Sequence, residues 1–320
     1  MPADRPRSTR RPRHFGPAAR SDPSRYYRQW GINDGPLDIN PRQVASTGDH
    51  FPARRHAIMW DANQYNKFAA ERARPFVDLL AQVHRGPDDT RHIVDLGCGP
   101  GTLTRQLAER WPEAGVVGID NSPEMLAKAQ PLAIPGRLDF AQADLSRWSP
   151  PRPVDFIFSN AALHWIDDHA ALLKRLAGWL APGGTLAVQM PNRFDGPIQR
   201  AIDESAADPR WAAQLRGVGL HKASVQPIEW YARQLEDLGF TVNAWETTYV
   251  HVLTGENPVL EWFRGSGLRP LLARLNDAER EQFSRQLADR FRALYPPRKG
   301  TTLFPMPRLF FVAIRATTVP

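Results

Sequence analysis

One stretch near residue 95 constrains the fold of this chain more than any other. The stretch is Val94-Asp95-Leu96-Gly97-Cys98-Gly99-Pro100-Gly101, and residues 102–111 follow it with helical spacing. Glycine lets the backbone turn sharply and lets a ligand come close, because it has no Cβ. The helix that follows would present its positive N-terminus to that ligand. The stretch therefore predicts a buried strand, a ligand-binding turn and a helix.

The spacing of the glycines separates two kinds of binding turn. A dinucleotide turn, as in NAD-dependent enzymes, needs its third glycine at position 102, where this chain has Thr102. Here the glycines alternate, and Asp95 stands two positions before the first of them. This D-x-G-x-G-x-G form resembles the first motif of the class I S-adenosylmethionine (SAM) methyltransferases. On the motif alone, a nucleotide site and a purely structural turn stay open.

Composition limits the class of protein. The 320 residues, of which 42% are hydrophobic and 10 are Trp, suffice for one large domain or a domain with a smaller lobe. No run approaches the ~18 apolar residues that a membrane span needs, so we expect a soluble, cytoplasmic protein. A monomer is expected as well, although no sequence feature specifies the oligomeric state. The single cysteine, Cys98, excludes a disulfide within the chain and provides no zinc cluster. Its small size explains its place between two glycines.

The positive charge is concentrated at the N-terminus. The formal net charge is +7, yet the first 55 residues alone hold 11 arginines against 5 aspartates, so the rest is nearly neutral. We expect no nucleic-acid partner. The basic surface of a nucleic-acid-binding protein should extend over its folded body, and here the body is nearly neutral. Residues 1–58, rich in Arg and Pro, are expected to be a disordered leader. A mitochondrial address is disfavoured, and an alternative is that translation starts at Met59.

Two further acids follow predicted strands. Asp120 ends the strand 115–120, 19 residues past Gly101, which is the separation of a ribose-binding carboxylate. Its alternative role as a helix cap is weakened, because Ser122 with Pro123 already forms a cap. Asp144 follows the alternating segment 137–145 and is predicted at the strand end, where it could accept from the adenine amine. The competing interpretation of Asp144 is an acid in a surface turn.

The fourth predicted strand, 154–160, is apolar enough to be buried on both faces. Asn160 at its end is a candidate for the amino-acid end of the cofactor. His164 could be a base, but packing beside Trp165 is the more common role for such a histidine. A helix over 170–180 should stop at residues 181–184, and the fifth strand should cover 185–190.

The remaining pattern completes the predicted architecture. The spacing predicts a first helix over 64–83 interrupted by Pro75, helices at 227–238, 260–263, 268–275 and 278–294, and strands at 240–252 and 308–314. A polar helical pattern covers 197–215, after the fifth strand. The resemblance to the SAM methyltransferases implies a helical substrate lid there, at about 193–225. The periodicity alone would fit several α/β folds. With the resemblance, the expected fold class is α/β, a seven-stranded, mostly parallel Rossmann-like sheet with helices on both faces and a small lid after strand five. It spans 59–316, with a tail at 317–320.

Several blocks outside the glycine turn make the resemblance more specific. They are Phe68–Pro75, Leu186–Pro191, Thr247–Tyr249, Gly267–Pro270 and Phe304–Phe310. These blocks resemble the trans-aconitate 2-methyltransferase family, over about residues 59–316. The resemblance implies that SAM is the cofactor, and that the product is a methyl ester of one carboxylate of trans-aconitate or a related small tricarboxylate. The implied cofactor-binding residues are Asp95, Gly97, Cys98, Gly99, Gly101, Asp120, Asn121, Met125, Ala143, Asp144, Leu145, Asn160 and Ala161.

Such a reaction needs few catalytic groups. A carboxylate is ionised at neutral pH, because its ordinary pKa is about 4, so no general base is required and the protein supplies alignment. Arginine pairs with the other carboxylates through its planar fork. The substrate-positioning candidates are Arg72, Arg74, His221, Tyr249, Trp262, Arg269 and Arg308. For each arginine, a surface ion pair is the competing interpretation.

Two alternatives belong to other substrate classes. A SAM-dependent enzyme acting on another small or acyl carboxylate, such as a thioester of malonate or a fatty acid, would need an apolar tunnel instead of arginines. An RNA-binding methyltransferase, or a non-catalytic SAM sensor, would need a basic groove or a stacking platform. The near-neutral body shows neither pattern.

Overall fold

The computed structural model describes residues 69–192, 196–218, 225–265 and 267–317, so the predicted leader and the last three residues lie outside it. Its centre is one seven-stranded sheet with the order β3-β2-β1-β4-β5-β7-β6. Strands β1 to β5 run parallel, and β7 runs antiparallel to both β5 and β6. The strands are β1 His92–Leu96, β2 Gly115–Asp120, β3 Leu138–Gln142, β4 Val154–Asn160, β5 Leu180–Pro191, β6 Phe240–Thr254 and β7 Thr301–Arg315.

This architecture confirms the predicted α/β class and the mostly parallel sheet. Strand β1 lies between β2 and β4, with Ile93 paired to Val116 on one side and to Phe156 on the other. Ten α-helices are described: α1 Ala69–Ala81, α2 Thr102–Arg110, α3 Pro123–Ala129, α4 His169–Trp179, α5 Pro197–Ala206, α6 Ala212–Leu215, α7 Ile228–Asp237, α8 Pro258–Arg264, α9 Arg269–Leu272 and α10 Asp277–Leu294. None of them is long and apolar enough to cross a bilayer.

Each face of the sheet is covered by its own apolar cluster. On one face, residues of α1 and α2 such as Phe76 and Leu107 pack against strand residues such as Phe158. On the other face, α4 and α7 contribute Leu176 and Leu235. The parallel strands are apolar throughout because both of their faces are buried in this way.

Helix α1 differs from the prediction of a helix interrupted by proline. The described part, Ala69–Ala81, continues through Pro75. Pro75 lacks the N–H that would bond four residues back, but its ring is buried, and the next residue, Phe76, packs edge-to-face on Phe158 at 5.2 Å. Burial of the helix face that carries Pro75 and Phe76 compensates for the hydrogen bond that Pro75 cannot donate. Residues 64–68, where the predicted helix began, lie outside the described part.

The C-terminal hairpin is longer than the sequence pattern predicts. Strands β6 and β7 pair over 15 residues each, from Phe240↔Arg315 to Thr254↔Thr301. The prediction began β7 at Arg308, just after Pro305 and Pro307, which cannot donate to a ladder. Strand β5 pairs with β7 only up to Pro191↔Arg308. Beyond that point β7 pairs with β6 alone among the described strands. Pro305 and Pro307 therefore interrupt no hydrogen bonds between β7 and β5.

The segment after α4 also departs from expectation. The residues predicted as a helix stop, 181–184, belong to β5, which begins immediately at Leu180. Leu180 pairs with Val154, and the register shifts before Phe156 pairs with Thr185. The extra length is therefore an irregular entry to the strand.

Two helices occupy the predicted insertion after β5. Helix α5 buries Ile198 and Ile202 in a third apolar cluster, to which α10 contributes Phe283 and Phe291. Trp211 extends this contact by packing edge-to-face on Phe283 at 5.4 Å. The ends of the insertion, 193–195 and 219–224, lie outside the described residues.

Candidate active site

The three glycines of the turn after β1 differ in what surrounds each of them. All are left-handed, with φ of 78° at Gly97, 54° at Gly99 and 76° at Gly101. A Cβ on Gly97 would lie 2.1 Å from the Cβ of Ala162, and one on Gly101 would lie 2.7 Å from the Phe140 ring. A Cβ on Gly99 would meet nothing within 4 Å. The open side of Gly99 is where a ligand can approach this turn.

Asp120 at the end of β2 is bonded to the same turn. Its Oδ2 accepts from the Gly99 N–H at 2.9 Å, and its Oδ1 accepts from the Ser122 N–H at 2.9 Å. Burial raises the pKa of Asp120, and the bonds from Ser122 and Gly99 oppose that rise. The cap of α3 is Ser122, which accepts from the Met125 N–H at 3.3 Å. The cap prediction is thereby confirmed, and Asp120 lies beside the glycine turn.

Asp95 supports the turn from below. Its side chain is only 3% exposed, and its Oδ2 accepts from the Thr104 hydroxyl at 2.6 Å. Thr104 lies in the first turn of α2 and is fully buried. Burial raises the pKa of Asp95 from 3.8 to about 7. The carboxyl thus joins β1 to α2 across the glycine turn.

Cys98 points into the protein. A Cβ on Gly118 of β2 would lie 2.9 Å from the Cys98 Cβ, so the two residues are packed face to face. Burial raises the pKa of the Cys98 thiol. Only the backbone of Cys98 is available to a cofactor in the turn, and its N–H donates to Ile119 O at 3.0 Å.

Asp144 lies two residues past the end of β3, not at the strand end as predicted. The strand stops at Gln142, since the chain then turns, with the Arg147 and Trp148 N–H groups donating to the Asp144 carbonyl. The Asp144 side chain is exposed and accepts from the Ser146 N–H at 2.8 Å. The bonds from Ser146 lower its pKa. Its neighbours Ala143 and Leu145 are half-buried, and Asn121 across from them is exposed.

The ends of β4 and β5 bring amides together. Ala161 is left-handed, with φ 57°, and its N–H donates to the Gln189 carbonyl at 2.9 Å. Asn160 pairs directly with Gln189 in the sheet. The Oδ1 of Asn160 is buried and has no hydrogen-bond partner among the described residues, and the same holds for both amide atoms of Gln189. The sequence interpretation missed Gln189, although it is a polar residue within an apolar strand.

His164 lies in a short 3-10 helix, Leu163–Trp165, after β4. Its side chain is 7% exposed, and its ring lies 4.8 Å from the Trp165 ring. This packing agrees with the structural role preferred from the sequence.

A second group of candidates meets where α1 crosses the β6–β7 hairpin. The Tyr249 hydroxyl donates to Asp78 Oδ2 at 2.5 Å, and the Arg74 guanidinium lies 5.1 Å from the centroid of the Tyr249 ring. Burial and the neighbouring Asp78 raise the pKa of Tyr249, whereas Arg308 and Arg74 oppose the rise. Arg308 itself is 6% exposed. Asp78 was missed from the sequence, because only the fold brings α1 to Tyr249.

The remaining candidates lie nearby or outside the described residues. Trp262 is 2% exposed, and its ring stacks on that of His251 at 4.6 Å. His251 and Tyr249 are two residues apart and lie on the same face of β6. Arg269 is half-buried at the start of α9. The side chain of Arg72 and the whole of His221 lie outside the described part.

Comparisons with known proteins agree with this geometry. A family model described as "Methyltransferase domain" matches residues 93–184, from β1 into β5. The YcgJ protein from Bacillus subtilis, a solved structure, has a TM-score of 0.50 at 14% identity, covers 75% of this chain and 97% of its own, and supports the fold alone. A trans-aconitate 2-methyltransferase from Streptomyces avermitilis is 48% identical over 261 residues, which are 79% of this chain and 96% of the relative. One from Mycobacterium tuberculosis is 45% identical over 257 residues, 80% of this chain and 96% of the relative.

The sheet order, the glycine turn with Asp120 beside it, and the matching family model define a SAM-dependent methyltransferase. Within this class, identity of 45% to 48% over nearly the full length of the relatives is decisive. The chain belongs to the trans-aconitate 2-methyltransferase family.

Proposed function

We propose that this enzyme transfers the methyl group of SAM to one carboxylate of trans-aconitate or a related small tricarboxylate. The products are the monomethyl ester and S-adenosylhomocysteine. The observation that carries the proposal is Arg308, a buried guanidinium where the pairing of β5 with β7 ends, near Tyr249 and Arg74. A buried cation at this place suits an anionic acceptor, and the relatives bear the name of such an acid.

The residues around the glycine turn fit the cofactor. The open side of Gly99 admits a ligand against the backbone, and each Asp120 oxygen keeps a lone pair beyond its backbone bond for the ribose hydroxyls. The unpaired Oδ1 of Asn160 can accept from the ammonium of the methionine end. Ala143, Asp144 and Leu145 would border the adenine.

When bound, SAM supplies a methyl group on a sulfonium, from which it leaves by in-line displacement. The protein has three tasks: to align the acid, to hold its remaining carboxylates and to exclude water. No base is assigned, because the accepting carboxylate is already ionised at neutral pH. His164 is packed against Trp165 and has no part in the reaction.

Arginines hold the rest of the acid in this proposal. Arg308 is the central one, with Arg74 of α1 near the same Tyr249. Arg269 of α9 is the third candidate. A buried guanidinium pairs more strongly with a carboxylate than an exposed one, because water competes less. Helices α5 and α6, which follow β5, would form a lid over the acid.

The test is a methyl-transfer assay with labelled SAM and a panel of di- and tricarboxylates. Trans-aconitate should yield a labelled, base-labile ester with S-adenosylhomocysteine in equal amount. If another acid is esterified and trans-aconitate is not, the substrate proposal fails. If only a thioester of malonate or a fatty acid is methylated, the site holds an acyl carboxylate and the role of the arginines is wrong.

A further inference from the structure

Strand β5 carries two buried polar side chains, Thr185 and Gln189. Thr185 accepts a hydrogen bond from the Arg85 guanidinium at 3.3 Å. Gln189 is 0% exposed, and among the described residues neither its amide nitrogen nor its amide oxygen has a hydrogen-bond partner. Two of its neighbours on the same sheet face are apolar: Ala187 lies two residues earlier, and Phe310 is paired with it from β7. An amide removed from water without partners costs folding free energy.

Packing alone would favour another residue at this position. Methionine has nearly the same length and shape as glutamine and carries no amide to desolvate. The next residue on the strand, Met190, shows that methionine is accommodated at the other face of this sheet, where it is 1% exposed. The unpaired amide of Gln189 is therefore a candidate for binding a ligand.

The register places Gln189 between the two halves of the candidate site. On β4 its direct neighbour is Asn160, assigned above to the methionine end of the cofactor. On β7 it is paired with Phe310, so Arg308, two residues away on the same face, is its diagonal neighbour. Diagonal neighbours are about 7 to 8 Å apart, within reach of two long side chains. A ligand that spans from Asn160 to Arg308 passes over the Gln189 amide.

We propose that Gln189 is a substrate-positioning residue, whose Nε2 donates a hydrogen bond to one oxygen of the carboxylate that receives the methyl group. This inference rests on the proposed function. A single neutral donor orients that carboxylate and leaves its second oxygen free to attack. A guanidinium in the same place would engage both oxygens and withdraw charge from the nucleophile. Gln189 thus binds the carboxylate that receives the methyl group, and Arg308 binds another carboxylate of the acid.

The test compares Gln189→Met with wild type in steady-state kinetics and thermal unfolding. We expect KM for the tricarboxylate to rise at least about tenfold, which corresponds to about 1.4 kcal/mol, because a hydrogen bond to a charged group is lost. KM for SAM should stay within about twofold, and Tm should be unchanged or higher, because an unpaired amide has been removed. A residue with a purely structural role would not combine weaker substrate binding with undiminished stability.

Gln130→Met is the matched control. Its amide donates to the Phe140 carbonyl at 3.1 Å, away from the proposed site, so its loss should lower Tm and leave both KM values unchanged. Gln189→Leu is the second variant and should behave as Gln189→Met does.

Three results would overturn the inference. They are an unchanged KM for the acid, a KM for SAM that rises as much as that for the acid, and a fall in Tm of both Gln189 variants beyond that of the control. Wild-type turnover is measured first. If wild type esterifies no tricarboxylate, the proposed function has failed and this inference falls with it. If wild type is active and Gln189→Met matches it, only the inference fails.

Discussion

The buried Asp95 makes a specific prediction about stability and pH. Its pKa in the folded protein is raised from 3.8 to about 7 by burial. Between these two values the folded protein keeps a proton that the unfolded chain has lost, so the contribution of Asp95 to stability falls as pH rises. The contribution is complete below about pH 4 and is lost by about pH 7. Asp95→Asn removes this dependence, and its amide oxygen can still accept from the Thr104 hydroxyl.

The magnitude follows from the size of the shift. Each pKa unit corresponds to about 1.4 kcal/mol, so the full shift is on the order of 4 kcal/mol. About two of these units lie between pH 5 and pH 7. The free energy of unfolding of Asp95→Asn, relative to wild type, should therefore be higher at pH 8 than at pH 5 by roughly 2 to 3 kcal/mol. Urea unfolding at the two pH values measures this difference, because groups shared by both proteins cancel.

Two controls sharpen the experiment. The Thr104 bond lowers the pKa of Asp95, so Thr104→Val should extend the loss of stability to higher pH. Asp144→Asn should show no gain at pH 8, because the pKa of Asp144 is lowered by its bonds from Ser146. If Asp95→Asn differs from wild type by the same amount at pH 5 and pH 8, Asp95 titrates normally in the folded protein and the reasoning is wrong.

Other predictions concern the turn and the substrate cation. Gly97→Ala should lower the free energy of unfolding by about 3 kcal/mol, because a left-handed alanine is strained and its Cβ meets Ala162 at 2.1 Å. Gly99→Ala should lower it by only about 1 to 2 kcal/mol and should instead raise KM for SAM. Equal urea midpoints for the two variants would contradict this. Asp120→Asn should weaken SAM binding about tenfold or more by calorimetry, and an unchanged Kd would remove Asp120 from the cofactor site. Arg308→Gln should raise KM for the acid about 10- to 100-fold with KM for SAM within twofold, and parallel changes in both would indicate a structural role.

Local patterns in the sequence predicted the strand, turn and helix units well. The glycine turn and the Ser122 cap depend on neighbouring residues, and the structure confirms them. The length of β7 was mispredicted. Pro305 and Pro307 are tolerated because β5 no longer pairs with β7 at these residues, and this is a property of the assembled sheet. Pro75 was misread in the same way, since its tolerance depends on burial against the sheet.

The candidate site shows the same limit. The sequence motifs locate Asp120 and Asn160, because each directly ends a strand. The contact of Asp78 with Tyr249 joins residues 171 positions apart, and no local spacing announces it. Gln189 was overlooked because a polar residue in a mostly apolar strand can be interpreted only when its neighbours, Asn160 and Phe310, are known.

One competition experiment tests the central claim most directly. SAM with a labelled methyl group is offered to the enzyme together with equimolar trans-aconitate, a malonyl thioester and RNA. The account predicts that the label appears on trans-aconitate as a base-labile ester. Label on the thioester or the RNA, with none on the tricarboxylate, would contradict it.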